Sequence, residues 1–474
     1  MKKLFLISAA LSSMLLAKTV NFDTVLKESL KNNLELKAKK LNIDKAKADL
    51  ETAKGYDWGK LVFSEEISRS NNALYVFGMK LESREATFRD FGFSDFITPL
   101  GTALMKANSN SLTPADAAAM NSLLGMAPKD LNYPGARNNF KTKFVYEVPI
   151  FTGFKLKYAK EMAKLQVLAN KFKYQNDKNK LAIEVLKAYN GAVAAKYFIS
   201  ALKKAKETTS SFVKMIESFK NVGMATETDL LQAKKRDSEV DAMMTEAKSK
   251  YALALSYLRF LSGDEKISDV GDFKVIISPN ASLVELKKIA LKNRGDLKWM
   301  QKNVETMQKK VKMDSSVKYP MIGAHLEYGW NDNRINNIDF DKDYYVAAIG
   351  LNYNIFDKSE KAKIQKSKIE AMQTAYYYKY MKKGVALQVE QKLLDLKSKA
   401  AVLKNKIINK DLAEEILKKY TFMYKQGMIN MTILLMKEAD ARKARAELIK
   451  AKYDEALAAA ELKAALGDLV KESK

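Results

Sequence analysis

The sequence predicts a mainly α protein with a small β part, built from a duplicated unit of long coiled α-helices plus a β-hairpin. Three observations point there. None of the seven prolines lies between residues 150 and 278 or after residue 320, and proline breaks helix interiors. Both proline-free runs are rich in Ala, Leu, Lys, Glu and Gln, which favour helix. A stretch around residue 223 recurs around residue 427, which marks an internal repeat.

The chain opens with Lys2 and Lys3, then an apolar run from Leu4 to Leu16, with Ala17 a candidate last residue before cleavage. This pattern reads as a secretory signal over 1–17; the alternative is a buried N-terminal strand or helix. The run is short for a bilayer, and no later stretch is apolar for 18 residues in a row. A membrane location would therefore require a β-barrel. There is no cysteine. An exported form must rely on packing or assembly rather than disulfides, and it has neither thiolate chemistry nor a Cys-linked lipid.

The formal net charge is +26. Such a balance suits nucleic acid or an anionic surface. It equally suits lysines coating long helices, and Lys is mixed with Glu and Asp in stretches such as 37–49 and 437–452. Export argues against nucleic acid as a partner.

The repeat gives the organisation. Gly223-Met224, Thr228, Leu230-Leu231, Ala247, Ala252-Leu253, Leu258 and Gly263 return as Gly427-Met428, Thr432, Leu434-Leu435, Ala451, Ala456-Leu457, Leu462 and Gly467. The closing glycines read as helix C-caps. Leu30, Asn32, Leu36 and Lys37 match Leu291, Asn293, Leu297 and Lys298, and 148–151 matches 353–356. The spacing between copies falls from 261 to 205 between these matches, so the first copy carries 56 extra residues. The two copies span 18–268 and 280–474.

Four segments alternate with period two, as half-buried strands do. They are 61–69, 139–150, 322–330 and 345–355, grouped as hairpins over about 58–153 and about 319–357. A stretch of about ten residues with aromatics near its ends suits an outer-membrane strand; an ordinary soluble sheet is the alternative. The second hairpin loop is short, about 331–343. The first runs from 70 to 138 and holds the extra residues, four prolines and a helical stretch at 114–124. In a membrane hairpin the long loop faces outside.

Each long helix, from about 154 to 223 and from about 357 to 427, would span on the order of 100 Å. The returns 223–263 and 427–467, followed by 283–315 in the second copy, cover the way back. The turns at 222–226 and 426–430 are the far ends. Thr226 or Thr228 is placed to cap the first returning helix, and Asp229 suits its positive end. Ala444, Ala451, Ala458 and Ala465 form a face that lets helices pack closely. Four strands cannot close a barrel, for which about eight is the practical minimum. Strands in a membrane would therefore require oligomerisation, and three copies would supply twelve.

Together these features resemble the outer-membrane efflux proteins of the TolC family, over nearly the whole chain after the leader. The resemblance rests on Phe22-Asp23-Thr24-Val25-Leu26 with Leu30-Lys31-Asn32-Asn33, on Val148-Pro149-Ile150-Phe151-Thr152-Gly153, and on the doubled turn motif. That motif is Phe219-x-x-Val222-Gly223 with Thr228-Asp229-Leu230, then Tyr424-x-x-Gly427 with Thr432. It implies a homotrimer with one 12-stranded β-barrel in outer-membrane lipid, continued by a periplasmic α-helical barrel. It also implies the function of a passive exit duct in a tripartite efflux or type I secretion system. Such a duct is fed by an inner-membrane pump of RND or ABC type through a periplasmic adaptor (membrane fusion) protein. No enzyme activity and no cofactor are implied.

By this resemblance Gly223, Thr228 and Asp229 form the first periplasmic tip, and Gly427 and Thr432 the second. There the duct closes at rest and meets the adaptor. Where the family's best-known member carries gating aspartates in the second tip, this sequence has Ile433 and Met436. Asp229 or Glu227 is then the available negative charge, and the basic balance could favour anionic cargo.

Residues for other chemistry are sparse. His325 is the only histidine and falls on the polar side of a predicted strand, so no triad or ordinary zinc site is expected. The pairs Glu65-Glu66 and Glu414-Glu415 are expected to be solvated. The alternative function is a periplasmic coiled-coil adaptor or structural rod without a membrane barrel, against which the doubled hairpins speak.

Overall fold

The computed structural model describes residues 18–109, 111, 113–123, 125–277, 281–335, 340–467, 469 and 470. The secretory signal predicted over 1–17 lies outside the described residues. In chain order the elements are β1 (Lys18–Val20), α1 (Phe22–Asn32), α2 (Leu34–Gly55), β2 (Lys60–Ser70), α3 (Ala73–Glu82), α4 (Phe93–Asn108), α5 (Pro114–Leu123) and α6 (Lys129–Asn132). There follow β3 (Arg137–Thr152), α7 (Lys155–Asn221), α8 (Glu227–Ser262), β4 (Ile267–Val270), α9 (Leu283–Asn293) and α10 (Gly295–Asp314). The chain ends with β5 (Met321–Asp332), β6 (Asp343–Asn352), α11 (Lys358–Lys425) and α12 (Met431–Ala465).

The two proline-free runs are thus continuous helices, as their composition demands. Three expectations are corrected. The segment 283–315 is not one helix: it breaks at Arg294, where Gly295 packs so tightly that a Cβ would lie 2.6 Å from the Phe172 carbonyl oxygen. The strand predicted over 345–355, β6, stops at Asn352, short of Tyr353 and Ile355. Among its described residues the 70–138 loop holds four α-helices rather than one.

Contacts divide the chain into two compact units. The first comprises the described residues of 1–48, 163–308 and 369–474. Its largest core gathers Val20, Val25, Val185, Leu186, Tyr189 and Leu258. A parallel pair, β1 with β4, edges this core, and Gly271 donates its N–H to the Val20 carbonyl at 3.0 Å. The pair escapes sequence reading because two strands of three and four residues carry no period.

The repeat is visible in the caps. Gly263 ends α8 in the left-handed region (φ +65°) beside Asn32, at the break between α1 and α2. Gly467 follows α12 (φ +76°) beside Arg294, at the break between α9 and α10. The predicted alanine face is real: Ala451, Ala458 and Ala465 are buried.

The second unit comprises 49–162 and 309–368. It holds one antiparallel sheet in the order β2-β3-β5-β6. The two hairpins join through β3 and β5, with Phe144 opposite Tyr328 and Glu147 opposite His325. Both β2 and β6 are edges within the chain.

Gly223 and Gly467 offer a controlled comparison. An alanine at either position enters the left-handed region at a cost of about 1–2 kcal/mol. At Gly223 an added Cβ meets nothing within 4 Å, whereas at Gly467 it meets the Arg294 backbone at 2.9 Å. Gly467→Ala is therefore expected to lower the thermal unfolding midpoint, followed by circular dichroism, more than Gly223→Ala. Equal losses would show that the Arg294 approach is slack.

Candidate functional site

Both far turns are built the same way. At the first, Met224 N–H donates to the Phe219 carbonyl at 2.8 Å and Gly223 N–H to Lys220 at 3.0 Å. At the second, Met428 N–H donates to Met423 and Gly427 N–H to Tyr424, both at 3.0 Å. This paired bonding closes a helix C-terminus and needs a left-handed residue, met by Gly223 (φ +79°) and Gly427 (φ +69°). The recurring Gly-Met is thus a turn signature.

The helix starts differ. Thr226, not Thr228, caps α8. Its Oγ1 accepts from Asp229 N–H at 3.1 Å, and the Asp229 carboxylate accepts from the Thr226 N–H at 3.0 Å and from its hydroxyl at 2.7 Å. This reciprocal box satisfies the N–H groups of Thr226 and Asp229. Thr228 is exposed on that turn. At the second turn Asn430 takes the cap, accepting from Ile433 N–H at 3.0 Å. Thr432 instead donates to Gln232 Oε1 at 3.2 Å, tying α12 to α8.

Beneath the turns the two copies share a core. Met431, Leu434, Leu435 and Ala441 pack with Phe212, Ile216 and Leu230, and the rings of Phe219 and Tyr424 stack at 6.2 Å. One position in this stripe is charged. Glu438 is 1% exposed, with Arg442 Nε at 3.4 Å and Arg236 Nε at 4.0 Å. Its signal in the sequence is a carboxylate at the buried spacing 431, 434, 435, 438. Glu414, expected to be solvated, also lies in a network. Burial opposes its charge, but Lys410 at 2.9 Å and Arg445 at 2.7 Å outweigh this and hold its carboxyl below the usual range. Glu65, Glu66 and Glu415 are exposed, as expected.

In the other unit the sheet has two unlike faces. Leu61, Phe63, Ile67, Phe144, Tyr146, Leu326, Tyr328, Tyr345, Ile349 and Leu351 share one face through the strand register, with Glu65 and Thr142 a bonded polar pair among them. Exposure of 60% at Phe63, 80% at Tyr345 and 75% at Ile349 leaves this face uncovered within the chain. The opposite face carries Lys60, Lys143, Glu147, His325 and Glu327. There Lys143 donates to Glu327 at 3.1 Å, Lys60 pairs with Glu147 at 3.0 Å, and His325 lies within 3.7 Å of both carboxylates. A sheet of this length, greasy on one side and charged on the other, suits a barrel wall between lipid and water. No described helix is long and apolar enough to cross a membrane. Among the described residues no group of three or more His, Cys, Asp or Glu could hold a metal ion.

The sequence matches the family of outer membrane efflux proteins over residues 116–264 and 286–468. The chain belongs to this family. No curated protein matches it in sequence. Its fold is similar to that of CusC, known from crystal structures bearing on folding and transmembrane channel formation. The TM-score is 0.75 at 14% identity, with 94% of this chain and 92% of that one covered. It is also similar to the CmeC outer membrane channel of Campylobacter jejuni (TM-score 0.75, 16% identity, 96% and 87% covered). A third similar structure is the outer membrane protein VceC of Vibrio cholerae (TM-score 0.72, 12% identity, 95% and 97% covered).

This outer membrane efflux protein is therefore a duct of the outer membrane that extends into the periplasm. Its family is one of transport proteins rather than enzymes.

The burial of Glu438 predicts a pH-dependent stability for the packing beneath the turns. Burial raises its carboxyl above the usual range, and Arg442 and Arg236 offset this only in part. A carboxyl raised in the fold stabilises it below the unfolded value, and that contribution is lost as pH climbs through the folded value. The parent is expected to gain thermal stability relative to Glu438→Gln on acidification from about pH 7.5 to about pH 5. A relative gain by the variant would contradict the assignment.

Proposed function

We propose that the chain acts as a homotrimeric, passive exit duct. An edge strand β2 of one copy pairs with β6 of the next, so that three copies close one twelve-stranded barrel. The observation that carries this is the two-faced sheet with both edges open. In lipid, unpaired backbone groups on β2 and β6 would each cost several kcal/mol, so a single copy cannot span. Pairing with like copies satisfies the edges and turns the mostly apolar face to lipid. The charged face with His325 and Glu327 then lines the lumen.

The two Gly turns form the periplasmic entrance. Gly223, Thr228 and Asp229 of the first tip, and Gly427 and Thr432 of the second, are the surface offered to a periplasmic adaptor. An inner-membrane pump supplies the energy. The Thr432–Gln232 bond supports the idea that the two returning helices move as one when the entrance opens. The adaptor or rod alternative leaves the apolar sheet face without a partner, and nothing in the fold favours it.

Outer-membrane fractions are expected to yield a heat-modifiable trimer that conducts in planar bilayers. Asp229→Ala with Thr432→Ala should raise the conductance by loosening the closed tip. A periplasmic monomer, or silence from both proteins in the bilayer, would overturn the duct.

A further inference from the structure

The insertion between β2 and β3 carries a face that the chain does not cover. Helices α4 and α5 flank a cleft lined by Pro99, Thr102, Ala103 and Lys106 of α4, and Lys106 bonds Asp116 at 2.9 Å. Phe93, Ile97, Leu100 and Leu104 recur at helical spacing on another face, over about 16 Å. Phe93, Ile97 and Leu104 are 43%, 55% and 57% exposed, and Phe96 beside them 38%.

The root of the insertion is fixed to the sheet end. Arg84 donates to the carbonyls of Asp341 and Asp343 at 2.6 and 2.7 Å. Glu85 is clamped between Arg137 and Lys342, and Asn331 donates to Glu82 at 2.6 Å. The insertion also leaves from Ser70, the last residue of edge strand β2. It is therefore rooted at the edge where another copy must pair.

Charge identifies the occupant. Residues 71–136 hold five Lys or Arg and six Asp or Glu, a net of −1, so the rest of the chain carries +27. Copies this basic repel one another wherever their lysine-coated parts meet. The neutral insertion is where a like copy approaches without that penalty. A helix lying on an anionic leaflet typically flanks its apolar face with Lys and Arg. The polar side of α4 instead has Asp95, and its one lysine is engaged by Asp116.

We propose that the α4 stripe docks against the insertion of a second copy of this chain, forming a collar that locks the oligomer at its outer end. This rests on the trimeric duct reading.

The test exploits the absence of cysteine. Ile97→Cys and Leu104→Cys, labelled in outer-membrane vesicles with benzophenone maleimide and irradiated, are expected to give an adduct of two chains on denaturing gels. Ala118→Cys, on the exposed side of α5, should lose it. Adducts with lipid alone, or none, in a sample that retains the heat-modifiable trimer would overturn the collar. Absence of any trimer in the unlabelled parent would instead overturn the duct reading. As a second measurement, Ile97→Glu with Leu104→Glu should lower the temperature at which the trimer band collapses. An unchanged collapse temperature would count against the collar.

Discussion

Every backbone N–H and C=O placed in lipid must find a partner inside protein, because hydrocarbon offers none. The sheet β2-β3-β5-β6 meets this demand in its interior and fails it at both edges. Much of the architecture follows. The apolar face needs lipid, the edges need like strands, and the charged face needs water. On the duct reading proposed above, a closed ring of copies supplies all three. The register strengthens the point, since a slip of one residue would move Phe63, Phe144 and Ile349 from one face to the other.

The duplication answers a different constraint. A long helix that buries only one stripe needs a companion along its whole length. In each copy the outward helix is followed by a returning helix, and the caps at Gly263 and Gly467 set each return against a helix break, at Asn32 and at Arg294. Small residues such as Ala451 and Ala458 are buried on α12, which approaches α8 closely. Lys206 with Asp237 in the first copy, and Arg445 with Glu414 in the second, then link outward and returning helices across that packing. Burial works against Asp237, but Lys206, Thr209 and Ser210 outweigh it and hold the carboxyl low.

Features set by local rules were legible in the sequence. The proline-free runs gave α7 and α11, period two gave four strands, and the change of repeat spacing located the insertion. What was not legible depended on distant partners. β1 and β4 are too short to show a period and exist because they pair across some 250 residues. The helices of the insertion are short and carry Pro99 inside α4, which disguised them as loop. At the tips, glycine conformation could be read from Gly-Met, but the choice of Thr226 over Thr228 depends on which residue faces the Asp229 backbone. Glu414 looked solvated because sequence alone cannot place Arg445 beside it.

The two tips share a turn and differ in chemistry, which bears on any gate built from them. In the first, the Asp229 carboxylate already accepts two hydrogen bonds from Thr226, so its charge is partly engaged in holding α8 closed at its start. In the second, Asn430 alone caps α12 without charge, and Ile433 and Met436 follow it. Removing Asp229 therefore alters two things at once, the charge at that turn and the integrity of the first turn of α8. Asn at position 229 would separate them, because its amide oxygen can still accept from the Thr226 N–H and hydroxyl while the charge is lost. The buried Glu438, one to two turns further along α12, lies where no solvent cation can substitute for Arg236 and Arg442. The balance among these three groups, rather than a ring of exposed aspartates, is the electrostatic feature that this sequence builds into the base of its tip.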